Sequence, residues 1–296
     1  MTHSEHVEVL AIFGPTASGK SGVAELLARR LHTEVVSADA LQVYRGLPIL
    51  TNQPETPTRL VAIRDLADEM SVGEYATLAH AAIDELVAAH GSAVVAGGTG
   101  LYLRAALVKL EIPPAPEPGA RERWELVYDA DPRRAFRRLG ELDPAAAATL
   151  HQNDRRRVVR ALELAEMGAS LRPTSDLLWS EVTRRPTLVV GLDLPPETLE
   201  KRIEARTDDM FARDVIDEVR AAAAGPLSRT AAMALGLREL SELSPDQARE
   251  RLVLRTRRYA AYQRKWMRRI PGVVMVDADR APEEVVDAIL DVARSR

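Results

Sequence analysis

The chain contains no cysteine among its 296 residues, which excludes disulfides, thiolate metal ligands and cysteine nucleophiles. It also has no apolar run long enough to span a bilayer, and Met1–His6 lacks the basic and apolar regions of a secretory signal. We therefore predict a cytoplasmic protein that has no membrane partner. The hydrophobic fraction of 46% suffices for a packed core, and the formal net charge of −4 argues against a uniformly basic nucleic-acid binder.

A phosphate-binding pattern is the most informative motif in the chain. It follows the apolar run Val7–Phe13, precedes a helical pattern, and reads Gly14, Pro15, Thr16, Ala17, Ser18, Gly19, Lys20, Ser21. In the pattern G-x-x-x-x-G-K-[ST], backbone amides and the positive end of the following helix attract phosphate oxygens. Lys20 can bridge these oxygens, and the Ser21 hydroxyl can ligate Mg²⁺. The motif predicts that the chain binds a diphosphate or a triphosphate.

Positive charge is concentrated in a few segments, although the chain as a whole is acidic. Residues 249–269 contain one acid, Glu250, among eight arginines and one lysine, and shorter arginine clusters occupy 133–138 and 155–160. Such polarisation is expected of a protein that binds a polyanion on one face. Arginine-rich helices can also be merely solvated, so charge alone leaves nucleic-acid binding open.

Apolar runs that are typical of strands alternate with helical patterns in the first hundred residues. Predicted strands are Val7–Phe13, 34–37, 60–63, 92–96, 187–192 and 273–276. Ser71 and Glu74 form a capping box at the start of a helix that ends near His90. Only helical periodicity appears between about 120 and 180. The order predicts an α/β fold, a P-loop NTPase-like parallel sheet flanked by helices, with an inserted all-helical domain. We expect the core to comprise 1–112 and 180–296, and the insertion 113–179.

A second group of polar residues follows two other predicted strands. Asp39 comes after the second strand, and Thr99 follows Gly97 and Gly98 at the end of the fourth. Ligands of open parallel sheets bind at the carboxyl ends of the strands, so Asp39 can reach the phosphate site as a metal contact or general base. It can equally cap the next helix. Nearby, Gln42 could read a base edge and Tyr44 could stack.

One absence narrows the chemistry. No strand after the phosphate-binding loop ends in the acid of a conventional ATPase, which argues against a hydrolytic motor. A small-molecule kinase remains open at this point.

In their order along the chain these motifs resemble the tRNA dimethylallyltransferase family, also called tRNA isopentenyltransferases. The matching segments are 14–21, 39–44, 51–54, 97–102, 153–163, 234–239 and 256–259, together with Gln263 and Trp266. The resemblance implies transfer of a dimethylallyl group from its diphosphate to N6 of the adenosine just 3′ of the tRNA anticodon. The implied partners are dimethylallyl diphosphate and tRNA, the implied cofactor is Mg²⁺, and nothing in the sequence demands more than a monomer.

The resemblance also implies roles for individual residues. Asp39, Lys20 and Thr99 would be catalytic, with Asp39 as general base, and Ser21 and Asp39 would hold the metal ion. Residues 14–21 would bind the diphosphate, and Arg238 would either join them or support the fold. Expected tRNA contacts are Asp39, Ala40, Leu41, Gln42, Thr99, Arg121, Arg156, Arg157, Val158, Val159, Arg160, Arg257 and Gln263. Tyr102 and Trp266 are expected in the core.

The chain departs from the family pattern at several positions. Ala40 replaces a serine, Gln53 a lysine and Leu237 a tyrosine, and Ala261-Tyr262 stands where Lys-Arg is usual. These changes put substrate affinity or the choice of tRNA in question. The competing hypotheses are an adenylate isopentenyltransferase, a small-molecule kinase and a non-catalytic RNA-binding protein.

Overall fold

The computed structural model describes residues 6–113, 116–171 and 177–296. The chain divides into two compact units. The first comprises Met1–Lys109 and Leu178–Arg296, and the second is Leu110–Leu177.

A six-stranded sheet forms the centre of the first unit. Its strands are β1 (Val9–Phe13), β2 (Val35–Ser37), β3 (Thr58–Arg59), β4 (Ala93–Gly97), β5 (Thr187–Asp193) and β6 (Val274–Asp277). They pair in parallel in the order β3-β2-β4-β1-β5-β6. The predicted parallel α/β fold is thereby confirmed.

The third strand does not lie where the sequence predicted it. We expected it at Leu60–Ile63, but the pairing with β2 involves Thr58 and Arg59. Leu60 and Ala62 have φ angles of 65° and 52°, in the left-handed region that extended strands do not use. The apolar run therefore forms a turn.

Helices cover both faces of this sheet. In the first unit they are α1 (Lys20–Arg30), α2 (Val72–His90), α3 (Gly100–Leu107), α8 (Pro196–Ala212), α9 (Val215–Ala223), α10 (Leu237–Glu242), α11 (Pro245–Met267) and α12 (Pro282–Arg294), numbered with the helices of the second unit given below. The Ser71 hydroxyl accepts a 3.1 Å hydrogen bond from the Glu74 amide and caps α2, as predicted. Leu10, Ile12 and Val190 of the sheet pack in one apolar cluster with side chains of α1 and α12.

The strand order places three chain segments side by side at the carboxyl edge of the sheet. β4 lies between β2 and β1, so the residues that follow Phe13, Ser37 and Gly97 are neighbours. A Cβ on Gly97 would lie 2.1 Å from the Ala38 carbonyl oxygen. Only glycine permits this approach of β4 to the segment that carries Asp39.

The described residues of the second unit form helices: α4 (Ala120–Ala130), α5 (Pro132–Leu142), α6 (Pro144–Ala147) and α7 (Arg155–Glu166). Asp131 begins α5 by accepting hydrogen bonds from the amides of Arg133 and Arg134. The unit has its own core, which includes Tyr128 and Leu139. Across the part of the chain that is described, no helix has the length and apolarity needed to cross a membrane.

Candidate functional site

The loop between β1 and α1 is shaped to receive an anion. Gly19 has a φ of 87° and precedes the first residue of α1, whose first-turn amides have no intrahelical acceptor. A Cβ on Gly14 would lie 2.7 Å from the Ser18 hydroxyl oxygen. That hydroxyl is buried and makes no hydrogen bond. An unpartnered buried hydroxyl beside free amides indicates an oxygen-rich ligand.

Lys20 is held back against this loop. Its Nζ donates a 2.7 Å hydrogen bond to the Pro15 carbonyl. Burial, followed by the positive charge of Arg206, lowers the pKa of Lys20 to about 7, while Asp39 opposes the shift. A bound anion would restore the charge of the ammonium group.

Arg206 is a site residue that the sequence analysis missed. It lies on α8 and lines a cavity together with Asp39 and Thr16. Burial lowers its pKa and the charge of Asp39 counteracts this, and no residue that the structure describes forms an ion pair or hydrogen bond with it. Arg206 follows Ile203 at helical spacing on a face that is otherwise apolar. That lone arginine on an apolar stripe was the available signal.

The cavity lining has a polar part and an apolar part. The empty space between the lining residues, open solvent included, is about 630 Å³. The polar part of the lining is Thr16, Asp39, Thr51, Arg206, Thr207, Thr256 and Tyr259, and the apolar part is Leu41, Leu50, Ile203, Met210, Ala234, Leu235 and Leu252. Such a lining suits a ligand with a charged head and a short hydrocarbon tail.

Asp39 and Thr99 occupy adjacent loops, as predicted from the parallel sheet. Asp39 accepts a 2.9 Å hydrogen bond from the Leu41 amide, so it caps the following turn and lines the cavity at the same time. The Thr99 hydroxyl accepts a 3.3 Å hydrogen bond from the Ala40 amide. The two interpretations of Asp39 from the sequence, as a cap of the following segment and as a residue of the ligand site, are therefore compatible.

Tyr259, on α11, belongs to the polar part of the lining and was not assigned a role from the sequence. Burial and the charge of Asp39 raise its pKa to about 12, and its interactions with Thr99 and Gln263 oppose the shift. The phenol therefore stays protonated at neutral pH and can donate a hydrogen bond.

Gln263 joins two loops of the site. Its carboxamide accepts a 2.7 Å hydrogen bond from the Thr16 amide and donates one of 2.9 Å to the Gly98 carbonyl. The residue is 2% exposed. Both ends of the amide are therefore used inside the protein, and this placement does not support the expected contact between Gln263 and tRNA.

Residues that follow Asp39 are also more enclosed than expected. The Gln42 carboxamide accepts from the Ser37 hydroxyl and donates to the Asn52 carbonyl, so it is not poised to read a base. Tyr44 is fully buried, which rules out the predicted stacking role. Ala40 and Leu41 are half-buried, and Leu41 belongs to the cavity lining.

Ser21 does not line the cavity of Asp39. It lines a second cavity with Glu25, Ser37 and Gln42. The two predicted metal ligands, Ser21 and Asp39, therefore line different cavities. Among the residues that the structure describes, no group of three or more His, Cys, Asp or Glu side chains could hold a metal ion.

Arg238 lies outside the cavity lining. It is on α10, its side chain is 79% exposed, and it pairs with Glu242. This placement does not support its assignment to the diphosphate, and Arg206 is the arginine that the fold brings there instead.

Two of the expected RNA contacts in the second unit are core residues. Val158 and Val159 have no exposed surface and pack in the core of that unit, so their side chains cannot meet a partner. Arg160 and Arg121 pair with the buried carboxylate of Glu163. Arg156 and Arg157 of the same helix, α7, are exposed.

The basic helix α11 combines paired and exposed cations. Arg257, an expected RNA contact, pairs with Glu204 of α8. Three further arginines of the helix are also paired: Arg249 with Asp208, Arg255 with Glu239 and Arg264 with Asp193. Exposed cations of the segment 249–269 that make no ion pair with any described residue are Arg251, Arg258, Lys265, Arg268 and Arg269.

The expected core residues differ in burial. Tyr102 is buried, as predicted. Trp266 is half-buried and lies against Gly100, where a Cβ would be 2.2 Å from its ring. Its ring centroid is 4.7 Å from that of Trp179.

Comparison with known proteins points to one enzyme family. A family model described as IPP transferase matches residues 42–270. The chain is 37% identical to a tRNA dimethylallyltransferase from Kineococcus radiotolerans, over 98% of this chain and 95% of that protein. A tRNA isopentenylpyrophosphate transferase structure from Bacillus halodurans superposes with a TM-score of 0.69 at 28% identity, covering 97% of this chain and 96% of that one. The structure of a eukaryotic dimethylallyltransferase acting on tRNA gives a TM-score of 0.74 at 25% identity, with 98% and 80% covered. The chain therefore belongs to the IPP transferase family.

Proposed function

We propose that this chain transfers a dimethylallyl group from dimethylallyl diphosphate to N6 of the adenosine just 3′ of the anticodon in tRNA, releasing diphosphate. One observation carries the proposal: Thr16 of the phosphate-binding loop, the Asp39 carboxylate and the Arg206 guanidinium line one cavity together with several apolar side chains. The relatives named above are described as tRNA dimethylallyltransferases or tRNA isopentenylpyrophosphate transferases. The residue roles below are inferences from the contacts of each group.

The phosphate-binding loop is suited to hold the leaving group. The first-turn amides of α1, the Ser18 hydroxyl and the Lys20 ammonium offer hydrogen bonds to diphosphate oxygens. Arg206 adds a second buried cation that no described residue neutralises by an ion pair. As the bond between C1 of the dimethylallyl group and the diphosphate oxygen breaks, the electron pair stays on oxygen, and these donors stabilise it.

The apolar part of the cavity lining suits the hydrocarbon. Leu50, Met210 and Leu252 are each at most 6% exposed and belong to one apolar cluster. Side chains of this kind exclude water from a developing allylic cation, which would otherwise be captured by hydrolysis. This arrangement favours transfer over solvolysis.

Asp39 is positioned to accept the proton that the acceptor nitrogen loses. N6 forms the new bond to carbon, and its proton moves to the Asp39 carboxylate. Thr99 and Tyr259 flank this group and can orient the adenine through hydrogen bonds. Because an adenine within a stacked loop cannot reach such a cavity, the base would have to be extruded.

We expect Mg²⁺ to accompany the diphosphate, and the donors present fit it in part. Ser21 offers a hydroxyl on the first turn of α1, and Mg²⁺ commonly takes few protein ligands, keeping waters and substrate oxygens. When bound, the ion would neutralise charge on the leaving diphosphate. Since a carboxylate loses basicity when it coordinates a cation, we assign Asp39 to the proton and Ser21 to the ion. We also expect the enzyme to act as a monomer.

Labelled dimethylallyl diphosphate tests the proposal against its alternatives. We expect label in unmodified tRNA, mapped to the adenosine beside the anticodon, and none in AMP offered at equal concentration. Label in AMP alone would identify a nucleotide prenyltransferase. Phosphate transfer from labelled ATP without prenylation would identify a kinase, and RNA binding without either reaction would leave a binding protein.

A further inference from the structure

One row of aromatic side chains leads from the proposed catalytic cavity to the surface of the first unit. Tyr259 lines the cavity, and its ring stacks at 6.4 Å and 24° on that of Tyr262. The Trp266 indole donates a 2.8 Å hydrogen bond to the Tyr262 hydroxyl. We name Tyr259, Tyr262 and Trp266 the aromatic row; they share one face of α11 because they are three and four residues apart.

Tyr262 is the exposed member of this row. It is 56% exposed, whereas Tyr259 and Trp266 are half-buried. The hydrogen bond from Trp266 and the contact with Tyr259 fix the ring while leaving part of its surface open. Proteins that bind single-stranded nucleic acids stack unpaired bases on large exposed aromatic rings of this kind, which neighbouring side chains hold in place.

Unpaired positive charge surrounds the same ring. Arg258 and Lys265 lie four residues before and three after Tyr262, so they flank it on the surface of α11. Both are exposed and neither forms an ion pair with a described residue, whereas Arg257 and Arg264 of the same helix are paired with acids. The Arg269 guanidinium lies 4.0 Å above the Trp179 ring, which itself packs on Trp266. A polyanionic strand is thus favoured beside the aromatic row.

We propose that Tyr262 is a stacking platform for an unpaired RNA base next to the adenosine that reacts. This inference rests on the proposed function, since the row ends at the cavity that contains Asp39. Extrusion of one base leaves its neighbours without a stacking partner, and an exposed ring at the mouth would replace that partner. The cations beside it would hold the adjoining phosphates.

The test uses an anticodon stem-loop RNA in which 2-aminopurine replaces, in turn, each base that flanks the acceptor adenosine. We expect quenching at one of the two positions on binding to the wild type. Tyr262→Ala should abolish that quenching and weaken binding about tenfold, without changing the affinity for dimethylallyl diphosphate. Tyr262→Phe keeps the ring and loses only the hydrogen bond from Trp266, so we expect binding within about twofold of wild type.

Tyr262→Arg separates stacking from electrostatics. We expect this variant to lose the quenching. Because a phosphate contact is added, the slope of the logarithm of its binding constant against the logarithm of the salt concentration should become steeper by about one. Met275→Ala, an exposed apolar truncation on β6, is the control and should leave binding unchanged.

The outcomes separate this inference from the proposed function. Quenching in Tyr262→Ala equal to that in the wild type, or unchanged affinity, would overturn the stacking role even if the enzyme prenylates tRNA. Absence of prenylation by the wild type would overturn the proposed function, while the quenching assay would still decide whether Tyr262 stacks on RNA.

Discussion

The Gln263 side chain holds the phosphate-binding loop through a 2.7 Å hydrogen bond from the Thr16 amide. Through its Nε2 the same carboxamide donates to the carbonyl of Gly98, next to Thr99. Helix α11 therefore sets the spacing between the diphosphate-binding loop and the loop proposed to orient the acceptor base. The reaction needs both loops in register, so we infer that Gln263 positions the site without touching either substrate.

Replacing Gln263 by leucine should loosen both loops. Two buried polar backbone groups would lose their partners, and we expect the free energy of unfolding to fall by about 2 kcal/mol or more. Denaturant titration measures this loss, and steady-state kinetics should show a raised KM for dimethylallyl diphosphate. Gln263→Glu keeps an acceptor for Thr16 but no donor for Gly98, and we expect an intermediate effect. Wild-type stability and KM in the leucine variant would refute the positioning role.

Arg206 and Arg238 make a matched pair for testing which arginine binds the diphosphate. Arg206→Met should lower kcat/KM for dimethylallyl diphosphate about ten- to hundredfold, because a charge-assisted hydrogen bond to the substrate is lost. Arg238→Met should leave it unchanged, since that side chain is 79% exposed. A thermal melt of each variant without ligand provides the folding control. A lowered kcat/KM in Arg238→Met together with an unchanged one in Arg206→Met would show that Arg238 binds the diphosphate.

Binding of the diphosphate should take up a proton at mildly alkaline pH. The pKa of Lys20 is lowered to about 7, so at pH 8 the free protein carries mostly neutral lysine. A bound anion raises that pKa and recharges the amine, and affinity should therefore weaken by up to about tenfold per pH unit above 7. Calorimetry at pH 8 in two buffers of different ionisation enthalpy measures the uptake.

Lys20→Met is the control for that experiment and should remove the uptake along with much of the affinity. Binding at pH 8 with no proton uptake by the wild type would show that Lys20 is already charged in the free enzyme.

Local motifs and the expected sheet topology predicted part of the site. The phosphate-binding loop, Asp39 and Thr99 were predictable because parallel strands bring their carboxyl ends to one edge. The third strand was misplaced because positive φ angles at Leu60 and Ala62 depend on tertiary contacts, and an apolar run does not reveal them.

The differences between the expected and the observed placement of individual site residues have physical reasons. Arg206 reaches the cavity from a helix far along the chain, and its one local signal, a lone arginine on an apolar helix face, does not reveal which cavity that helix lines. Val158, Val159 and Gln263 stand within matching motifs, yet a motif does not distinguish a residue that touches substrate from one that supports the fold. Tyr44 was assigned by residue type, while its burial is decided by packing.

The single-turnover rate of dimethylallyl transfer in Asp39→Asn tests the central claim most directly. With tRNA and dimethylallyl diphosphate both bound at saturation, substrate affinity no longer contributes, and asparagine preserves the acceptor for the Leu41 amide. We expect the rate of bond formation to fall about 100-fold or more, because a general base is lost, while tRNA binding stays close to that of wild type. A rate within a few fold of wild type would contradict the assignment of Asp39 as the group that accepts the N6 proton.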